Sequence, residues 1–373
     1  MRARSLYSSR VSVRRKDPAS ARHVSARPVA ASRVRTLLEP PADPFGERRQ
    51  PPVRVRAQVL GGEFRFECDD PALLPIVQAA YAKLPPHRFA APAPRFVVRL
   101  ALLRAPRTVR AVNDEPASVT ALAGGGILCG AVGDSSFVAL DPARRSALVV
   151  VSRAMLQFPY HVRYELLEFA VFTLAVRAQR LVPLHAACVG LGGAGILILG
   201  PSGSGKSTVT LHCLLAGLDF LAEDSVMVKP DGLLATGVAN FLHVRRDSLR
   251  FLTHLADAAR IRSSSIIRRR SGVEKLEIDL RSAGHRLARA PLKISAIVFV
   301  TAKRATGQRL VAPVSEADLV RRLAASQRYA AGQPGWSSFT RQVRRLPAYE
   351  LRRGRHPAEA PRPLRQVLRN AKS

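Results

Sequence analysis

The hydrophobic positions change period along the chain, and each change marks a different kind of element. Val53-Arg54-Val55-Arg56-Ala57-Gln58-Val59-Leu60 alternates like a half-buried strand, Gly61-Gly62 supplies a turn, and Phe64-Arg65-Phe66-Glu67-Cys68 alternates again. That pattern predicts a β-hairpin. Asp69-Asp70-Pro71 reads as the cap of a helix through Leu73, Leu74, Val77, Ala80 and Tyr81, which are spaced for one helical face. Strand-like runs at residues 96–103 and 146–151 complete an expected small α+β domain over residues 53–159.

From Tyr160 the pattern changes. Residues 162–178 read as one long, largely buried helix, and Pro183 opens two short apolar strands, 184–189 and 194–199, around the turn 190–193. Residues 209–215 read as a helix closed by Gly217, followed by a short strand at 220–224 with paired acids at its carboxyl end. Residues 263–272 read as a mobile loop, 273–280 alternate like a strand, and 294–300 have the apolarity of a central strand with no acid at its end. Residues 160–373 are therefore expected to form an α/β domain. Residues 1–52, rich in Arg, Ser, Ala and Pro and lacking apolar period, predict a disordered basic arm.

Charge narrows the picture less than its size suggests. Lys+Arg number 59 against 27 Asp+Glu, a net charge of +32, but 51 of the cations are arginines, a skew read partly as composition bias. The cations are scattered, with no basic stripe interleaved with aromatics, so no specific nucleic-acid partner is expected. No uncharged apolar run approaches the roughly 18–20 residues that span a bilayer, which predicts no membrane span and a cytoplasmic protein. Cys68, Cys129, Cys188 and Cys213 contain no CxxC pair and fit neither a disulfide framework nor a zinc site, as in a reducing compartment. His185 and Cys188 supply two metal ligands at most.

The chemistry concentrates in Gly200-Pro201-Ser202-Gly203-Ser204-Gly205-Lys206-Ser207-Thr208, which fits G-x-x-x-x-G-K-[ST] at every constrained position. Glycines let successive backbone N–H groups curl around phosphate oxygens, and the following helix presents its positive end to the same anion. Lys206 is placed for the β- and γ-phosphates of ATP and Ser207 for Mg2+. Glu223 and Asp224 end the next strand, where a Mg2+ ligand and a general base could both reach the γ-phosphate. Arg245, Arg246 and Lys275 are further candidates for phosphate or acceptor contact. His185 alone, between apolar residues, reads as a hydrogen-bonded core histidine.

Leu184-His185-Ala186, the two short strands, Gly200 to Ser207 and Leu221-Ala222-Glu223-Asp224 together resemble the carboxyl-terminal domain of HPr kinase/phosphorylase and its HPr-kinase-related P-loop kinases. The resemblance covers about residues 183–250 and implies an HPr kinase/PEP carboxykinase-like P-loop fold. It implies that Glu223 acts as base on an acceptor hydroxyl assisted by His185, that Asp224 and Ser207 hold Mg2+, and that the protein is a homo-oligomer. Glu223 replaces the family's usual Asp, and Leu242-His243-Val244-Arg245-Arg246-Asp247 stands where a Glu-x-Arg-Gly signature is expected. HPr as substrate and the reverse phosphorylase reaction are therefore not expected. The looser pattern, with Leu346-Pro347-Ala348-Tyr349-Glu350-Leu351, is similar to kinases of ribosomal-peptide tailoring systems.

The expected function is an ATP- and Mg2+-dependent kinase acting on a serine or similar hydroxyl of a protein or peptide, with Glu223, Asp224, His185 and Lys206 as catalytic residues and Ser207, Asp224 and Glu223 as metal ligands. A small-molecule kinase of the shikimate or nucleotide-kinase type and a non-enzymatic nucleotide-gated module are the alternatives. An ABC-type ATPase lacks support, because no LSGGQ-like signature is present.

Overall fold

The computed structural model of the chain describes residues 52–370, apart from residues 90, 104–115, 134, 253–254, 282–283 and 308, so the expected basic arm lies outside the described residues. The alternation at residues 53–68 becomes the antiparallel pair β1 (Val53–Val59) and β2 (Gly62–Cys68), with Val55 opposite Phe66. Phe64 and Phe66 point inward, and Phe64 stacks on Phe96 with ring centroids 4.5 Å apart. The Asp70 carboxylate accepts from the Ala72 amide at the turn that leads into α1 (Leu74–Tyr81). Then follow β3 (Arg95–Leu103), β4 (Val119–Gly124), β5 (Ile127–Val132), β6 (Ser136–Asp141) and β7 (Ser146–Ser152). Together they make a seven-stranded sheet in the order β1-β2-β3-β7-β6-β5-β4.

The expected helix over residues 162–178 is longer and less regular. It comprises α2 (Pro159–His161), a π-helical turn Val162–Leu167, and α3 (Glu168–Gln179). Leu166, Ala170, Val171 and Leu174 are fully buried in one cluster with Val98, Val138 and Val149 of the sheet. Each such side chain contributes about 1.5–3 kcal/mol by leaving water. The helix therefore caps the first sheet while its polar flank faces the second half of the chain.

The stretch expected as one strand over 184–189 breaks at His185. β8 (Val182–Leu184) and β9 (Ala187–Leu191) belong to the same sheet but pair with different neighbours. β10 (Ala194–Leu199) is buried throughout and leads into the phosphate loop and α4 (Lys206–Leu215). After β11 (Asp219–Ala222), β12 (Val226–Lys229) and β13 (Leu234–Gly237) comes β14 (Phe241–Val244), and α5 (Leu255–Arg262) follows. The residues expected as a mobile loop contain a strand, β15 (Ser265–Arg268), paired antiparallel with β16 (Glu274–Asp279). β14, β16 and β15 form a small separate sheet, β16 in the middle.

β17 (Leu292–Arg304) is the central strand of the nine-stranded sheet. It runs parallel to β10, and parallel on its other side to β19 (Ala348–Arg353), which is reached through β18 (Val311–Pro313), α6 (Glu316–Ser326), α7 (Arg328–Ala331) and α8 (Trp336–Val343). α9 (Pro361–Asn370) packs Leu364 and Leu368 against α4 and the sheet. The carboxyl ends of β10, β17 and β19 thus lie together, the edge at which parallel α/β sheets bind ligands. Among the described residues no helix is long and apolar enough to cross a membrane.

Candidate active site

The phosphate loop turns on glycines where only glycine fits. Gly200 has φ 151°, and a Cβ there would lie 2.7 Å from the Val300 carbonyl oxygen and 2.8 Å from Ser204 Oγ. Gly205, at φ 106°, is the residue from which α4 starts. Lys206 folds back, its Nζ donating to the Gly200 carbonyl at 2.7 Å. Ser204 Oγ is buried in the loop without a hydrogen-bond partner among the described residues. A closed ring of backbone, a cation held at its mouth and an unpaired buried hydroxyl fit a bound phosphate chain.

The two acids divide the site between them. Glu223 is buried, and Ser207 Oγ donates to its Oε1 at 2.5 Å. Its Oε2 accepts from the His243 backbone amide at 2.8 Å and pairs with His243 Nδ1 at 3.0 Å, while Lys275 Nζ lies 3.8 Å from Oε1. Burial alone would push this carboxyl up, but the hydrogen bonds and charge of His243, the charge of Lys275 and the Ser207 hydroxyl outweigh it and hold Glu223 well below the usual carboxylate range. Asp224 is more open. Its Oδ1 lies 3.1 Å from His185 Nδ1 and its Oδ2 lies 3.4 Å from the Arg269 guanidinium. Burial lowers the His185 pKa despite the opposing pull of Asp224, favouring a neutral ring there.

His185 sits in the break between β8 and β9, and that break is held by one buried side chain. Gln327 Oε1 accepts from the His185 amide at 2.8 Å and Gln327 Nε2 donates to the His185 carbonyl at 3.1 Å. The ring is thereby turned into the cleft instead of serving the core.

Behind Glu223 lies a polar network that the sequence motifs do not announce. His243 Nε2 is 3.2 Å from Glu277 Oε1 and 3.0 Å from the Tyr164 hydroxyl, and Arg163 also donates to Glu277. Flanked by two carboxylates, His243 is raised above its ordinary pKa, the hydrogen bonds to Glu223 and Glu277 overcoming the opposing effect of burial. Arg163 and Tyr164 come from the π-helical turn, so the helix that caps the first sheet also buttresses the acid.

The structure thus brings Lys206, Ser207, Glu223, Asp224 and His185 to one cleft of about 2380 Å3, with Arg245, Arg269 and Lys275 on its wall. Arg246 lies outside that lining. His243, Glu277, Gln327 and Arg269, which contact the predicted site residues or one another, are not among the residues that the sequence singles out. The only available signal was the histidine at the place where the Glu-x-Arg-Gly signature was expected. Among the described residues no cluster of three or more His, Cys, Asp or Glu side chains is arranged to hold a metal alone. A Mg2+ here would take Ser207 and one carboxylate, completing its shell with nucleotide and water oxygens, as Mg2+ commonly does at such sites.

No family model matches the chain, and no curated protein matches it. Among solved structures, the HPr(Ser) kinase/phosphatase from Coxiella burnetii is similar at 13% identity and a TM-score of 0.26, covering 51% of this chain and 90% of that one.

Proposed function

We propose that the chain is an ATP- and Mg2+-dependent phosphotransferase whose acceptor is a serine, or a similar hydroxyl, of a protein or peptide. The observation that carries this reading is the pairing of two acids at one phosphate loop: Glu223 with Ser207 at 2.5 Å, and Asp224 with His185 at 3.1 Å. The first is the arrangement by which P-loop enzymes hold a metal through a loop hydroxyl and a carboxylate. The second is a carboxylate and a neutral imidazole in contact with each other and open to the cleft, which suits proton removal from an alcohol.

The roles implied by the family resemblance are therefore exchanged. Ser207 and Glu223 would hold Mg2+, and Asp224, oriented by His185, would accept the proton of the acceptor hydroxyl. ATP with Mg2+ supplies, when bound, the transferable phosphoryl group and the neutralisation of its oxygens. Lys206, Lys275 and Arg269 place positive charge where negative charge spreads during transfer. Lys206 and Lys275 are both lowered by burial, offset in part by the two acids, which marks how little water reaches them.

Beyond the phosphate loop the cleft runs on to the apolar side chains of β4 and α3, which leaves room for an acceptor beside the nucleotide. The test is incubation of the purified protein with γ-labelled ATP, Mg2+ and cell extract beside Lys206→Ala and Asp224→Ala. Label on a polypeptide, lost in both variants, supports the reading; label on a small molecule, or transfer that survives Asp224→Ala, overturns it.

A further inference from the structure

The first sheet has two edges, and they are built differently. β1, at one end, carries Arg54 and Arg56, the kind of charge that keeps an exposed edge from pairing. β4, at the other, is Val119-Thr120-Ala121-Leu122-Ala123-Gly124, exposed from Thr120 onward, with no charge, no proline and no bulge in its register with β5. Leu122 is 65% exposed. No residue from 117 to 133 is charged, in a chain in which 23% of residues are. Among the described residues, no backbone hydrogen bond is made on the outer side of β4.

The strand's inner face leads into the active-site cleft. Val119, Ala121, Leu122 and Ala123 of β4 line that cleft together with Phe169, Phe172 and Val176 of α3. The same lining continues to the phosphate loop and Asp224. The start of β4 is moreover tied to the site: Arg270 donates to the Pro116 and Ala117 carbonyls and pairs with Glu165, while its chain neighbour Arg269 contacts Asp224. Asp224 and the Ala117 carbonyl are thus no further apart than two arginine side chains and one peptide unit. That is roughly 20 Å, the span of about six extended residues.

We infer that β4 is the docking edge for the polypeptide acceptor, which adds as an extended strand with apolar side chains at alternate positions and delivers a hydroxyl to Asp224 no more than about six residues beyond the docked segment. The inference rests on the polypeptide-kinase reading and deepens it. Strand addition uses the free backbone groups of β4 for affinity and the apolar floor of Phe169, Phe172 and Val176 for selection at every second residue. Continuity of this edge with the catalytic cleft favours an acceptor peptide over a second copy of the chain, whose edge-to-edge pairing would leave the cleft out of the contact.

The experiment uses the full chain and fluorescent peptides, ~15 residues long, from a degenerate library with one fixed serine. Binding is read by anisotropy in Asp224→Asn and transfer from labelled ATP in the wild type. Two edge variants are compared: Thr120→Lys with Leu122→Lys, which charges the edge, and Ala121→Phe, which fills the inner groove. The expected result is selection of alternating apolar residues within about six positions of the serine, with KM for the selected peptide raised about tenfold or more in both variants and KM for ATP unchanged. Peptide binding that the edge variants abolish, without transfer in the wild type, would uphold the docking edge and sink the kinase reading. Phosphorylation with unaltered KM, failure of every peptide to bind, or a dimer that the lysine pair converts to monomer would each overturn the inference.

Discussion

Replacing His243 by leucine tests the network behind Glu223 most directly. In the native chain the imidazole is hydrogen-bonded to Glu223 at 3.0 Å and to Glu277 at 3.2 Å, and it is itself buried. Leucine fills much of the same volume but leaves two carboxylates facing one cavity with a cation removed. Breaking one partner of a buried, hydrogen-bonded ion pair costs about 3–5 kcal/mol, and the residual donors Ser207 and Lys275 to Glu223, and Arg163 to Glu277, place the expectation toward the lower end. The pH dependence carries a sign. Glu223 is depressed below 4.5, so its contribution is present above that value and lost as acid protonates the folded carboxylate; His243 is raised above 6.5, so its contribution is full below that value and lost as pH rises through the folded pKa. The gap between wild type and His243→Leu should therefore be widest between pH 4.5 and 6.5 and narrow on both sides. Urea unfolding across that range measures it, and Mg2+ titration of phosphoryl transfer should show a raised metal requirement in the variant. A variant within ~1 kcal/mol of wild type near pH 5.5, with an unchanged Mg2+ requirement, would refute the reasoning.

Glu223→Gln should raise the Mg2+ requirement, whereas Asp224→Asn should lower transfer by about 10²–10⁴ while ATP affinity, read with a fluorescent analogue, is retained; the opposite pattern would restore the roles implied by the family resemblance. Gln327→Ala removes both bonds that hold the His185 backbone, so kcat should fall with KM for ATP unchanged, and a steady-state comparison showing equal kcat would remove Gln327 from the site. His212, buried with Nε2 unpartnered among the described residues, is pushed down to about 4 by burial and by His356. The unfolded chain takes up that proton below pH 6.5 and the folded chain only near 4, so up to about 3 kcal/mol of stability should be lost over this interval, and His212→Phe should flatten the slope in urea melts.

What could be read from the chain alone was whatever is encoded locally. The phosphate loop is legible because its glycines, lysine and serine are fixed by spacing within nine residues, and Glu223 and Asp224 because they end the next short strand. The hairpin at residues 53–68 is legible because one face alternates cleanly. β4, β5 and β6 were missed because Gly124-Gly125-Gly126 and small residues erase the alternation. β15 reads as loop because the Ile266-Ile267 pair stands between runs of serines and arginines with no alternation; pairing with β16 supplies the strand. The π turn leaves no signature in apolar spacing. His243 and Gln327 act on residues 20 and 142 positions away in the chain, so no spacing rule could assign them.

The small sheet of β14, β16 and β15 supplies a partner to each acid: His243 from β14, Lys275 from β16, and Arg269 from the turn after β15. Backbone hydrogen bonds join these strands to one another, so the backbone positions that carry the three partners are set together. On the proposed reading, an acceptor that displaced Arg269 from Asp224 would act on the same ribbon that carries the partners of Glu223. The seats proposed above for the metal and the acceptor would therefore share one three-stranded support.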